Sequence, residues 1–155
     1  MMNTLLRLTG VGKLVSFYRY IYINQPQLTR LAGIALILAV GTVHLVEITS
    51  HYEISPYLGV LFAANFAGTL VAAAGIQGGA KGWGWTLGAL ISLLSLLSYL
   101  ASRLFGLPAA PELDGEWTSA LGSLAMIFEG MFLAGWFSVL TGLAVAAPDK
   151  RDWYD

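Results

Sequence analysis

Long apolar stretches alternate with short polar connections along most of this 155-residue chain. Four stretches reach or approach the roughly 20 apolar residues that a helix needs to cross a bilayer. They cover residues 31–49, 57–76, 85–105 and 119–147. Because the connections are short, neighbouring spans must run antiparallel. The pattern therefore predicts an all-α fold, a four-helix transmembrane bundle of up-down-up-down topology that occupies residues 26–155.

The first 25 residues have a different pattern. Their apolar residues are interrupted by Arg7, Lys13 and Arg19, so a membrane span here would bury three cations at high cost. A secretory signal peptide is disfavoured, because no compact apolar core is followed by a small-residue cleavage site. Residues 1–25 are therefore predicted to form an amphipathic helix that lies in the membrane interface.

Composition supports the membrane assignment and excludes several kinds of chemistry. With 57% hydrophobic and 11% charged residues and a mean hydropathy of +0.70, the chain lies outside the range of soluble domains. The absence of cysteine excludes thiolate catalysis, iron-sulfur ligation and covalent attachment of a c-type haem. No basic stripe indicates a nucleic-acid partner. No nucleophile is visibly paired with a base, so an enzyme is the least favoured class.

Basic residues are distributed unevenly between the two sides of the predicted bundle. Only Arg103 falls in a connection on one side, and the other lysines and arginines fall on the opposite side. These are Arg7, Lys13, Arg19, Arg30, Lys81, Lys150 and Arg151. Because cytoplasmic loops carry the excess of Lys and Arg, both termini are predicted to lie in the cytoplasm.

Ionisable residues near the end of the first span are the main functional signal. His44, Glu47 and His51 follow one another at i, i+3 and i+7, so they share one face of a helix. The fourth span carries Glu129, which reaches the level of His44 if the span is measured from residue 147 and lies at the middle of the membrane if it is measured from Trp117. Ionisable groups in hydrocarbon are costly and usually mark a ligand, a proton path or a tight pairing. We therefore expect the four side chains to meet near the outer membrane face.

Several kinds of chemistry fit this residue set. Two imidazoles and two carboxylates would hold one transition metal ion, with His44, Glu47, His51 and Glu129 as ligands. A b-type haem is a second possibility, held by His44 on one side and by Met126 or Met131 on the other. His51 could bind only a different haem, because it lies two helical turns, or about 10 Å, from His44. A chain of Glu and His side chains that passes protons needs no cofactor.

Purely structural roles remain open for the same residues. A membrane histidine often only bonds a neighbouring helix, and Glu47 with His51 fits an ordinary i, i+4 pair. Arg103 could neutralise Glu129 or Glu47. Asn65, in the middle of the second span, requires a hydrogen-bond partner on another helix. Small residues also recur on the third span as a packing stripe, namely Gly88, Ser92, Ser95, Ser98 and Ser102.

Two motifs carry a resemblance to a family. His44-Leu is followed seven positions later by His51-Tyr-Glu53, and Pro56-Tyr-Leu-Gly opens the second span, which continues through Asn65. The chain resembles a group of small, mostly uncharacterised bacterial four-helix integral membrane proteins. The resemblance implies a bacterial inner-membrane location and implies that His44, His51 and Asn65 belong to the family pattern. It implies no reaction.

Two functions from different classes follow from the sequence. The first is a metal- or haem-binding membrane protein that serves electron transfer or metal handling. The second is a non-catalytic accessory subunit, whose partners besides the lipid bilayer would be other membrane subunits or further copies of the chain.

Overall fold

A computed structural model describes residues 23–79, 82–108 and 110–146. It contains four long α-helices: α1 (Pro26–Ile54), α2 (Pro56–Gln77), α3 (Trp83–Phe105) and α4 (Ala120–Leu140). Each is long and apolar enough to cross a membrane. The all-α fold and the four-helix bundle are thereby confirmed. The predicted interfacial helix of residues 1–25 lies almost wholly outside the described residues, as do Lys81, Lys150 and Arg151.

The junction between α1 and α2 lies further along the chain than hydropathy indicated. α1 continues five residues beyond position 49, through a polar segment, and ends at Ile54. Ser55 is extended, with φ −159° and ψ 130°, and Pro56 opens α2. The ring of a proline disfavours helical backbone at the residue before it, so Pro56 rather than polarity determines where α1 ends.

The predicted end of the fourth span at residue 147 is wrong. α4 ends at Leu140, and Gly142 adopts a left-handed φ of 73° that terminates the helix. The chain then pairs with the segment before α1. The Ile23 amide donates to the Leu143 carbonyl at 2.8 Å, and the Val145 amide donates to the Ile23 carbonyl at 3.0 Å. The apolar residues after Leu140 therefore belong to a connection and not to the span.

The four helices follow one another around the bundle. α1 packs against α2 and α4, and α3 packs against the same two helices, so α1 and α3 are diagonal. Short connections between antiparallel helices produce this order. One end of the bundle is formed by the Ser55 junction and by residues 106–108 and 110–119, and we call it the loop end.

Away from the loop end, the bundle is closely packed around two aromatic rings. Trp85 of α3 and Phe132 of α4 stack with their centroids 5.6 Å apart. A Cβ on Gly33 would lie 2.3 Å from the Trp85 ring, and one on Gly88 would lie 2.6 Å from Phe132. Because glycine has no side chain, these two positions leave the space that the two rings occupy. At the loop end, a smaller cluster consists of Leu58, Ala110 and Leu113. Between these two apolar clusters lies a cavity.

Candidate functional site

The cavity has a volume of about 370 Å³ and lies among all four helices. Five residues that the sequence singled out line it: His44, Glu47, His51, Met126 and Glu129. Most of the other lining side chains are apolar or aromatic. This is the usual composition of a small-molecule pocket, and the volume falls in the lower part of the range for such sites, about 300–1,000 Å³.

His44 is held in one orientation by bonds from both ring nitrogens. Nδ1 lies 2.9 Å from the Val40 carbonyl oxygen, one turn earlier on α1. Because a carbonyl can only accept, Nδ1 must carry a proton. Nε2 lies 2.8 Å from the Ser95 hydroxyl of α3. In the neutral imidazole Nε2 is therefore the unprotonated nitrogen, which accepts from Ser95 and faces the other helices.

Ser95 connects three helices. Its oxygen accepts a hydrogen bond from the Asn65 side-chain amide of α2 at 3.2 Å. Its hydroxyl donates a hydrogen bond to His44 Nε2 of α1. The interhelical partner that the sequence required for Asn65 is thus Ser95. Such bonds tie membrane helices together because hydrocarbon offers no alternative partner.

Glu129 joins this group from the fourth helix. Its Oε1 lies 3.8 Å from His44 Nε2, and the two residues are 1% and 5% exposed. The expected meeting of Glu129 with the histidine face of α1 therefore occurs at His44. Asn65, Ser95 and Glu129 lie at the middle of α2, α3 and α4. The group therefore lies deeper than a site at the end of a span.

His51 and Glu47 do not join that group. His51 Nδ1 donates to the Glu47 backbone carbonyl at 3.0 Å, so the expected i, i+4 contact is to the main chain and not to the carboxylate. The His51 ring stacks on Phe62 of α2 at 3.9 Å between centroids, and the same Phe62 ring lies 5.0 Å from His44. Two helical turns separate the histidines, and each is bonded to its own helix.

The predicted four-ligand metal set is therefore not assembled. Among the residues described, no group of three or more His, Cys, Asp or Glu side chains is close enough to hold a metal ion. The reason is geometric, since i and i+7 positions share a face but differ by about 10 Å in height. A b-type haem needs only axial ligands, and both His44 and Met126 line the cavity. That prediction remains open.

Arg103 closes the loop end of the cavity. The side chain is 6% exposed, and Nη1 donates to the Leu113 carbonyl at 3.3 Å and to the Ser102 hydroxyl at 3.2 Å. Nη2 forms an ion pair with Glu116 at 3.4 Å. Arg103 therefore neutralises Glu116 and fixes the connection between α3 and α4. Its ion pair is thus with Glu116, while Glu47 interacts with Arg103 only electrostatically and at longer range.

Two further contacts hold the same connection in place. The Tyr57 hydroxyl of α2 donates to the Pro108 carbonyl at 2.8 Å. Thr118 donates to the Glu116 carboxylate from its hydroxyl and from its backbone amide, and these bonds, with the nearby Arg103, lower the pKa of Glu116. Bonds to the ionised form stabilise it.

Three buried polar atoms in the cavity lining have no hydrogen-bond partner. They are Oδ1 of Asn65, the hydroxyl of Tyr99 and Nε of Arg103. Buried polar atoms are almost always paired, and each one left unpaired costs free energy. All three atoms are themselves almost wholly covered by neighbouring protein atoms.

Sequence reasoning missed two residues of this site. The sequence places Ser95 only in a packing stripe, because nothing in the sequence distinguishes it from Ser92 and Ser102. Tyr99 was not singled out at all. It packs edge-on against Trp117 and under the Arg103 guanidinium, at 4.6 Å from its ring centroid. The spacing Ser95, Tyr99 and Arg103, at i, i+4 and i+8, is the signal that could have identified a polar face on α3.

The chain matches no model of a known protein family, no curated protein and no solved structure. The resemblance to small bacterial four-helix membrane proteins, the inner-membrane location, the orientation of the termini and the partner subunits therefore stay predictions.

Proposed function

We propose that this membrane protein binds a small, mostly apolar molecule in the cavity between its four helices, with His44 and Glu129 as the polar contact. The observation that carries the proposal is that this buried pair of ionisable side chains belongs to the lining of the cavity. Ionisable groups at the middle of a membrane bundle are expensive and are retained mainly where they act on a ligand or a proton.

The rest of the cavity lining supports the same proposal. Most of these side chains are apolar or aromatic, as in small-molecule pockets, and they suit the apolar part of a ligand. The close packing of Trp85 and Phe132 below the cavity supports a preformed site, which reduces the entropic cost of binding.

The test is to identify the small molecule that co-purifies with the protein in mild detergent, by native mass spectrometry and organic extraction. Ala125 lines the cavity, so Ala125→Leu places three additional carbon atoms in it. Ala134 lies on the exposed face of the same helix, so Ala134→Leu is the matched control. We expect one ligand per protein in the wild type and in Ala134→Leu, and strong depletion in Ala125→Leu.

Both variants must retain the wild-type far-UV circular dichroism spectrum. A ligand present equally in the wild type and in both variants would place binding elsewhere and contradict the proposal. The absence of any small molecule, together with a cavity that takes up none when ligands are added back, would also contradict it.

Coordination of a metal or haem iron by His44 is the second candidate. The observation in its favour is the donation from Nδ1 to the Val40 carbonyl, which leaves Nε2 unprotonated, so that a metal would replace the bond that Nε2 accepts from Ser95. Metal analysis by mass spectrometry and an absorption spectrum test it. Near-stoichiometric metal that disappears in His44→Ala would favour this candidate, and metal retained in that variant would remove it.

A further inference from the structure

We propose that the cavity opens sideways into the membrane between α2 and α3, and that its ligand is a single-chain lipid whose hydrocarbon chain enters through this opening. The inference rests on the proposed function, and it names the class of the ligand and the route by which the ligand reaches the cavity.

The opening is defined by side chains that line the cavity and are also exposed at the surface of the bundle. They are Tyr57, Leu61 and Ala64 of α2 and Leu94 and Ser98 of α3, and we call these five the side opening. Leu61 is 57% exposed and Leu94 is 56% exposed. Among the described residues of α1 and α4, none that lines the cavity is exposed. The cavity therefore reaches the surface of the bundle between α2 and α3.

The contact between α2 and α3 changes along the bundle. At the end opposite the loop end the two backbones touch, because a Cβ on Gly84 would lie 2.4 Å from the Ile76 backbone nitrogen. At the middle of the bundle the helices are joined by side chains, through the bond from the Asn65 amide to the Ser95 hydroxyl oxygen at 3.2 Å. The side opening begins at this level and continues toward the loop end.

The side opening faces the hydrocarbon of the membrane. Both α2 and α3 are long and apolar enough to cross a bilayer. From Tyr57 to Ala64 the opening extends over seven residues of α2, a rise of about 10 Å. It runs in the direction of the helices, across the bilayer, and this is also the direction in which lipid chains extend from the headgroups. A lipid chain can therefore enter side-on without leaving hydrocarbon.

The chemistry of the side opening favours a hydrocarbon chain over a polar molecule. Leu61 and Leu94 present aliphatic surface. Tyr57 and Ser98 carry hydroxyls, but that of Tyr57 already donates to the Pro108 carbonyl at 2.8 Å. A polar ligand would lose its bonds to water on this route and gain few in return. The volume of about 370 Å³ is small for a ligand site and suits one chain and not two.

The test is photolabelling of the full-length protein in nanodiscs by hexadecanol that carries a diazirine at the middle of its chain. The alcohol is uncharged, so its capture does not depend on the charges of Glu47 and Glu129. Gly122 and Ala125 of α4 are buried and line the cavity, whereas Ile127 of the same helix is 56% exposed and lies outside the lining. Tandem mass spectrometry therefore distinguishes chains inside the cavity from chains around the bundle.

Two substitutions fill the side opening, and each has a control at the preceding residue. Ala64→Trp and Ser98→Trp place an indole ring in the opening. Ala63→Trp and Leu97→Trp place the same ring at exposed positions outside the cavity lining. Neither pair alters a residue of the group around His44.

We expect the wild type and both controls to be labelled at Gly122 and Ala125. Labelling there should fall at least about fivefold in Ala64→Trp and in Ser98→Trp. Labelling of Ile127 should be the same in all five proteins, since it reports a bundle that is folded in the membrane. Equal labelling of Gly122 and Ala125 in the wild type and in both filled variants would overturn the route.

A phosphatidylcholine with the same diazirine in one of its two chains tests the class of lipid. It should label Gly122 and Ala125 much less than the alcohol does, and equal labelling by the two probes would overturn the single-chain assignment.

No label at Gly122 and Ala125 in the wild type would overturn the whole inference. The proposed function would survive that result if another molecule co-purifies and is lost in Ala125→Leu. If none does, both proposals fail. The two sets of measurements therefore separate an incorrect ligand class or route from an incorrect function.

Discussion

Replacing Ser95 by alanine should destabilise the bundle although it removes a single oxygen atom. That oxygen accepts a hydrogen bond from Asn65 at 3.2 Å, and the hydroxyl donates one to His44, with 2.8 Å between Oγ and Nε2. The substitution therefore leaves two groups on two other helices without a partner. Interhelical bonds in membrane proteins contribute about 0.6 kcal/mol on average and at most about 1.7 kcal/mol each. The loss of both predicts that the free energy of unfolding falls by about 1–3 kcal/mol.

Ser138→Ala is the matched control. Ser138 also carries a hydroxyl on a membrane-spanning helix, but that hydroxyl bonds the Ala134 carbonyl of its own helix at 2.8 Å. No contact between helices is lost, so we expect a change within about 0.5 kcal/mol. Unfolding is measured by titrating sodium dodecyl sulfate into protein in detergent micelles and following the far-UV circular dichroism signal.

A double-mutant cycle separates the interaction from other effects of the substitution. Asn65→Ala should cost less stability in a Ser95→Ala background than in the wild type, because its partner is already absent. If Ser95→Ala unfolds like Ser138→Ala, or if the effects of Ser95→Ala and Asn65→Ala are simply additive, Ser95 does not connect the helices and the reasoning is refuted.

Two further predictions concern the packed half of the bundle and the loop end. Gly33→Ala should lower the free energy of unfolding by about 1–3 kcal/mol, because its Cβ overlaps the Trp85 ring, whereas Gly130→Ala, with open space around it, should be neutral or stabilising in the same assay. Thr118→Val should raise the pKa of Glu116, measured by carbon NMR of the carboxyl group. Because folding lowers this pKa from its ordinary value of 4.5, the stabilisation is present above pH 4.5 and is lost as the pH falls through the folded value.

Hydropathy predicted the helices well because burial in a membrane depends on long apolar stretches, and it located the helix ends poorly. α1 ends where Pro56 restricts the backbone, and α4 ends where Gly142 turns it, while apolarity continues past Leu140. Membrane depth read from the apolar stretches alone was therefore inaccurate by one to two helical turns. A prediction that used the positions of Pro56 and Gly142 before hydropathy would have located the ends of α1 and α4 more accurately.

The site could be predicted only in part for a related reason. Helical periodicity placed His44, Glu47 and His51 on one face, and all three line the cavity. Periodicity does not specify which residue of a neighbouring helix lies at the same height. The pairing of His44 with Ser95 and Glu129 depends on the relative vertical positions of three helices, and these are set by connections whose geometry the sequence does not give.

The position of α1 beside α4 has a consequence for biosynthesis. His44 lies on the first helix of the bundle and Glu129 on the last, and these two helices are neighbours. While the chain is being made, α1, α2 and α3 can associate through His44, Ser95 and Asn65 before α4 has entered the membrane. Glu129 must then be inserted into hydrocarbon before it meets its partner. The cavity is therefore completed by the last of these four helices to be synthesised, and a nascent chain that stops after α3 lacks it.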